Sequence, residues 1–368
     1  MQKPQSNTPR SYYMKRLQQE CPEIHDALHL MRQYSPLGKR LVEWVEETQI
    51  PIIEKKLDTW GEYDLTGNIH INPDNTLDLN ISILAHEIMH AVQGSRGRII
   101  ASPHWDAVAM ILNNRSLEAA AQTCAIKVCY EMKQNGHAAA FDHVLEQNSA
   151  YTTLFQVFER SYLSAEENGE THHAAMQSAC DDCFHAYFKN QPIIDVYNDI
   201  LLQQYTEMLM NGTTSNIQPA TWFSEQDARD LTEIADDEYL VTQVMPDTSD
   251  YGLYGENKRI RQAFEYVEYV RHLNVMGGEN NFGVRRHMQE LQKDNNPYMA
   301  VNLNTVLQRF EARKTDTDTP DFLEIMNAAA GIASEKQISL GFSDAAKPKE
   351  LLPVSSQRGK VKTQRRTR

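Results

Sequence analysis

Five consecutive residues, His86-Glu87-Ile88-Met89-His90, concentrate the chemistry that this chain can be expected to do. Side chains four apart on an α-helix lie on one face, so His86 and His90 can offer two imidazole nitrogens to a single metal ion. Glu87 sits at the edge of that face, where its carboxylate can reach a water beside the metal. Two neutral nitrogen ligands, an open coordination position and a nearby base are what zinc-dependent peptide hydrolysis requires. The competing reading is a pair of satisfied histidines on a buried helix.

The flanking residues put the pentad inside a helix. Asn80 is the expected N-cap. Ile81, Leu84, Ile88 and Val92 recur at spacings of three and four, and Gly94 is the expected stop. Catalytic zinc takes three protein ligands as a rule. The metzincin pattern asks for a Gly three residues after the second His and a His six residues after it. Those positions hold Gln93 and Arg96, so that pattern fails. His104, Asp106 and Glu118 remain as candidates for the third ligand. Glu118 is preferred, because Asn114-Arg115-Ser116 resembles a helix start and Leu117 to Gln134 holds few breakers. Ala119, Ala120 and Ala121 would let two helices approach until a carboxylate comes within about 2.0–2.2 Å of zinc. Against this, a carboxylate in a first helical turn is favoured by the helix dipole alone. His104 and Asp106 follow Pro103 in a loop and have the character of surface residues.

The two stretches Leu84 to Gln93 and Leu117-Glu118-Ala119-Ala120-Ala121-Gln122 together resemble the gluzincin arrangement. More narrowly, they are similar to a bacterial family of metallopeptidase-like proteins of unknown function, in which an H-E-x-x-H helix is paired with a Glu on the next long helix. The resemblance covers roughly residues 58–210. It implies His86, His90 and Glu118 as Zn²⁺ ligands and Glu87 as general base. Phe184 to Phe188 and Tyr197 resemble the same family less closely. Many gluzincins carry an acid four positions after the ligand Glu; this chain has Gln122 there. Peptide hydrolysis also draws on a donor for the developing oxyanion. Tyr251, Tyr254, His172, His173 and His185 are candidates for it, and none is singled out by the sequence.

The elements that must position these residues divide the chain. Tyr12 to about Lys56 reads as helical, with a break at Pro51. Glu62 to Leu65, Thr66-Gly67-Asn68 and Ile69 to Asn72 read as a short hairpin just ahead of the metal helix. His70 is expected on a strand face rather than on a metal. Helical stretches follow near 138–165, 171–189, 192–210, 224–240, 257–276, 283–293, 298–313 and 320–335. The expected fold is mainly α (α+β): an N-terminal helical segment (1–56), a zincin-like catalytic domain (57–210), a C-terminal helical region (216–335) and a basic, disordered tail (336–368).

At 368 residues the chain can bury a sizeable core, and 41% hydrophobic with 23% charged residues is ordinary for a globular protein. No apolar run approaches the ~20 residues of a membrane span, and the first residues lack a signal core, so a cytoplasmic location is expected. Net charge is −14, yet residues 347–368 hold eight basic residues against one acid, Glu350. The acidic remainder argues against a nucleic-acid platform, leaving only the tail to touch one. The expected partner is a peptide or protein substrate. Five cysteines cannot all pair and suit a reducing compartment. Cys180 and Cys183, at helical spacing, read first as core and only second as a metal or redox pair. The alternatives to a zinc peptidase are an inactive zincin scaffold that binds a partner, and a helical interaction protein whose pentad is structural.

Overall fold

The computed structural model describes residues 10–64, 66–98, 107–147, 149–197, 224–235, 238–244 and 342–343. Over these the chain is mainly helical with a small mixed sheet. Helices α1 (Arg10–Glu20), α2 (Pro22–Tyr34) and α3 (Pro36–Thr48) come first. Pro22 and Pro36 each occupy a first helical turn, where a missing N–H costs nothing. Ser35 ends α2 and caps α3, its Oγ accepting from Gly38 N at 2.7 Å. The same hydroxyl donates to Glu131 Oε2 (2.6 Å), which also accepts from Leu37 N, so a single buried carboxylate ties the start of α3 to a distant helix.

The helical run expected to reach Lys56 stops at Thr48. Gln49 adopts a left-handed conformation (φ 55°) and Pro51 cannot donate, so Ile52–Glu54 leaves as a strand, β1. Strands β2 (Gly61–Tyr63) and β3 (Ile69–Ile71) form the expected hairpin, Glu62 opposite His70. β1 lies parallel to the other edge of β3, Ile52 opposite Ile69. Asp64 organises the hairpin loop: its carboxylate accepts from Thr66 N, Asn68 N and the Thr66 hydroxyl and lies 2.8 Å from His70 Nε2. Burial pushes this carboxyl up, but those bonds outweigh it and hold the group below the usual carboxylate range. His70 is thereby accounted for on the strand. The second edge of β2 carries Phe342–Ser343 (β6), two residues of the expected tail.

The helix that carries the pentad, α4, spans Leu77–Ser95 and begins earlier than expected. Thr76, not Asn80, is its cap, accepting from Leu79 N at 3.3 Å. Asn80 lies within the helix, buried, and accepts from Asn75 Nδ2. Gly94 falls inside the last turn rather than after it. Its function is clearance, since a Cβ there would lie 2.7 Å from Tyr63 Oη. α5 spans Ala107–Gln134, so Asn114-Arg115-Ser116 is helix interior and not a start. The residues before it, Ala107 to Leu112, are unbroken helix formers. Burial of Ile111 and Leu112 overrides the turn preference of the Asn and Ser that follow. α5 runs antiparallel on α4: Gln93 reaches Leu117, His86 reaches Glu118, and Ser82 reaches Cys129.

Beyond α5 the stretch expected as one helix over 138–165 is two, α6 (Ala139–Glu146) and α7 (Thr152–Glu167). The Thr152 hydroxyl accepts from Ser149 N and donates to Val144 O across the joint. α8 (His172–Tyr187) packs on α7, and residues 191–197 form α9. The helix expected over 224–240 is instead a six-residue helix, α10 (Glu225–Asp230), followed by hairpin β4 (Glu233–Ala235) and β5 (Glu238–Tyr239). Ser224 and Asp227 make a capping box that starts α10, and Ile234 and Tyr239 then favour strand. One hydrophobic cluster runs through these elements from Tyr13 to Val244. The helices expected between 257 and 335 lie outside the described residues. Among those described, no helix is long and apolar enough to cross a membrane.

Candidate metal centre

α4 and α5 bring His86, His90 and Glu118 to one point. The two Nε2 atoms are 2.9 Å apart, and Glu118 Oε2 lies 3.4 Å from His86 Nε2 and 3.5 Å from His90 Nε2. All three residues are at least 98% buried. A tetrahedral site with bonds of about 2.0–2.2 Å has ligand-to-ligand edges of about 3.3–3.6 Å. Two edges of the observed triangle fall in that range and the third is shorter by a few tenths of an ångström, so the donor set fits a small divalent cation. Glu118 Oε1 is buried and has no hydrogen-bond partner, an arrangement that costs free energy unless something positive faces it. Burial pushes the Glu118 carboxyl up, yet the charge and hydrogen bonds of His90 and His86 outweigh this and hold it at about 2. The carboxylate is therefore anionic, as a metal ligand must be. Its place in mid-helix removes the dipole explanation considered from sequence. Among the described residues this is the group of His, Cys, Asp and Glu that could hold a metal.

Gln93, whose identity breaks the metzincin pattern, orients one of these three side chains. Its Nε2 donates to Leu117 O (3.2 Å) and Leu231 O (2.9 Å), which fixes the amide and aims Oε1 at His90 Nδ1, 2.9 Å away. An acceptor there requires Nδ1 to carry a proton, which leaves Nε2, the nitrogen that faces Glu118 and His86, as the atom to bind a metal. A buried polar residue three positions after a ligand His was the available signal. We expect Gln93→Leu to weaken metal affinity on the order of 10–100-fold, measured by competition with a chromogenic chelator. Wild-type affinity in that variant would dismiss the orienting role. Tyr197, noted in the sequence only through a weak likeness, donates its hydroxyl to Glu118 Oε2 at 2.7 Å.

Glu87 is fully buried on the same turn as His86. The backbone of β2 comes against it: a Cβ on Gly61 would meet Ile83 Cγ2 at 2.4 Å and Glu87 Oε1 at 3.3 Å. Only glycine permits this approach, which is how a strand three residues long helps to seat a carboxylate on α4. Of the oxyanion candidates, His185 Nε2 lies 2.7 Å from Gln243 O and His172 Nδ1 lies 2.8 Å from Tyr162 Oη, so both have partners elsewhere. His173 is exposed. Tyr251 and Tyr254 lie outside the described residues, as do His104 and Asp106. Cys180 and Cys183 are buried on α8, and burial pushes both thiols up, that of Cys180 to about 12. Asp181 between them pins the chain after β5, accepting from Thr242 N and the Thr242 hydroxyl.

No curated protein and no solved structure matches this chain. A family model described as "Putative metallopeptidase family (DUF6782)" matches residues 7–239, from just before α1 through the β4–β5 hairpin, a longer stretch than the pentad and its partner helix alone suggested. That match takes in more than half of the sequence, with the His86–His90–Glu118 triangle inside it, and the chain belongs to this family.

Proposed function

We propose that the chain is a zinc-dependent peptidase of gluzincin type. One observation carries the reading: His86 Nε2, His90 Nε2 and a carboxylate oxygen of Glu118 lie within 4.8 Å of one another in the core, with Glu87 on the same turn. His86, His90 and Glu118 would hold the ion. When bound, zinc acidifies a water and polarises the carbonyl to be attacked. Glu87 takes the proton from the attacking water and passes it to the leaving amine, serving as base and then as acid. Gln93 keeps His90 in the tautomer that offers Nε2, and Tyr197 holds the Glu118 carboxylate in place.

Zinc content and turnover test the proposal together. Purified protein is expected to carry one zinc per chain and to cleave peptides from a digested proteome. Cleavage should stop on chelation and return with added zinc. Cleavage that survives complete removal of metal would refute it. Stoichiometric zinc without any cleavage would favour a binding scaffold, and absence of metal a structural pentad.

A further inference from the structure

Just past the end of α4, about one turn beyond Gln93, two arginines reach a segment far along the chain. Gln93 Nε2 has two acceptors, and they are not equivalent. Leu117 O lies inside α5 at 3.2 Å, whereas Leu231 O is closer, at 2.9 Å. Leu231 is the C-cap of α10, where carbonyls lack partners within the helix and take donors from outside. Its donor is Gln93, the residue whose Oε1 faces His90 Nδ1. The residues on either side of Leu231 are held from the same end of α4. Arg98 lies 2.6 Å from Asp230 Oδ2. Arg96 Nη1 donates to Glu233 O at 2.8 Å and lies 2.9 Å from the Glu233 carboxylate. Arg96 stands where the metzincin pattern asks for a third His, and here it holds a strand. The far end of the segment is fixed separately from α8, where Gln177 donates to Leu240 O and Asp181 accepts from Thr242 N.

We propose that Arg96 and Arg98 are positioning residues of the metal centre, acting through the Leu231 carbonyl and Gln93 to set the His90 ring. The catalytic unit then runs on through α10 and β4 instead of ending near residue 210. The inference rests on the metal site of the proposed function, not on turnover. Its basis is geometric. A carbonyl only accepts, so two carbonyls at Nε2 fix which end of the Gln93 amide faces His90. With the two ion pairs gone, Leu231 O is no longer held in register with Gln93, and the shorter of the two bonds that orient the amide is lost. Both pairs are partly exposed, and such pairs contribute little to stability. Their removal should therefore show in metal affinity more than in the melting midpoint.

Zinc affinity, measured by chelator competition in a cycle with Gln93→Leu, tests the assignment. Arg96→Ala/Arg98→Ala protein is expected to bind zinc about 10-fold more weakly than the parent, the low end of the cost of disturbing a group that orients a ligand. In the Gln93→Leu background the same two substitutions should cost nothing further, because the residue they act through is already gone. Arg98→Lys keeps a charge opposite Asp230 and should keep the parent affinity. The melting midpoint of the metal-free protein serves as the folding control. Should the double variant fail to fold, Arg96→Ala alone goes through the same cycle. Equal losses in the two backgrounds, or parent affinity in the double variant, overturn the positioning role. A parent that binds no zinc removes the metal centre and this inference with it. If the parent binds zinc, the loss is confined to the Gln93 background and no peptide is cut, the inference stands and the peptidase reading falls.

Discussion

Glu87→Gln is expected to abolish peptide hydrolysis and to leave the metal in place. The expected loss is at least on the order of 10²–10⁴-fold in kcat, the usual contribution of a positioned acid–base group. The side chain keeps its shape, so the packing of Ile83, Gly61 and Glu87 at the β2–α4 contact need not change. What disappears is the proton acceptor, since an amide oxygen cannot take a proton from water at neutral pH. Glu87 is not one of the three residues whose donor atoms converge, so zinc stoichiometry is expected to stay at the parent value. Glu87→Asp makes a useful companion. It retains the base but withdraws it by one methylene, and it should recover part of the activity that Gln loses. The measurement is initial rate on a defined peptide beside elemental analysis of the same sample. Undiminished turnover in Glu87→Gln would remove this residue from the mechanism. Coincident loss of metal would show that its function is to build the site.

The pentad was legible because its chemistry depends on local spacing, and a helix turns the interval 86 to 90 into a shared face without help from the rest of the fold. Glu118 was legible as a residue but not in its setting. Asn114-Arg115-Ser116 has the composition of a helix start, and only tertiary burial, with Ile111 and Leu112 in the core, makes it helix interior. Thr76 and Asn80 are both of the type that caps helices. The choice between them is made by Asn75 and Trp60, which hold the turn before the helix: Asn75 Nδ2 donates to Trp60 O as well as to Asn80. The positioning residues were the least legible. Gln93 acts through carbonyls at positions 117 and 231, and Tyr197 through a carboxylate 79 residues away. No window of sequence contains such pairs. The β4–β5 hairpin was read as helix for a related reason. Its two strands are two and three residues long and are held from outside: Arg96 donates to Glu233 O, and Gln177 donates to Leu240 O.

His86→Ala and Glu118→Gln should each empty the metal site, and together they test the ligand set without a substrate. Disturbing a residue that only orients a ligand costs about 10–100-fold in affinity, so loss of a ligand itself is expected to exceed 100-fold. Glu118→Gln is the sharper of the two. It keeps the volume and leaves an oxygen for the Tyr197 hydroxyl, but removes the negative charge that balances the ion. Stability supplies an independent readout, because an ion bound only by the folded chain contributes RT ln(1 + [L]/Kd), about 2.7 kcal/mol at a hundredfold excess over Kd. Chelation should therefore lower the melting midpoint of the parent and leave that of either variant unchanged, there being no bound metal to remove. The apo parent and Glu118→Gln can then be compared directly. Both lack the ion, but the apo parent keeps a carboxylate that His90 and His86 hold well below its usual range, and a group so held contributes stability at neutral pH that the amide cannot supply. Glu118→Gln is therefore expected to melt below the apo parent as well as to lose the metal. A Glu118→Gln protein that still carries one tightly held zinc would take the carboxylate out of the ligand set, and the His86–His90 pair would need a third partner from elsewhere in the chain.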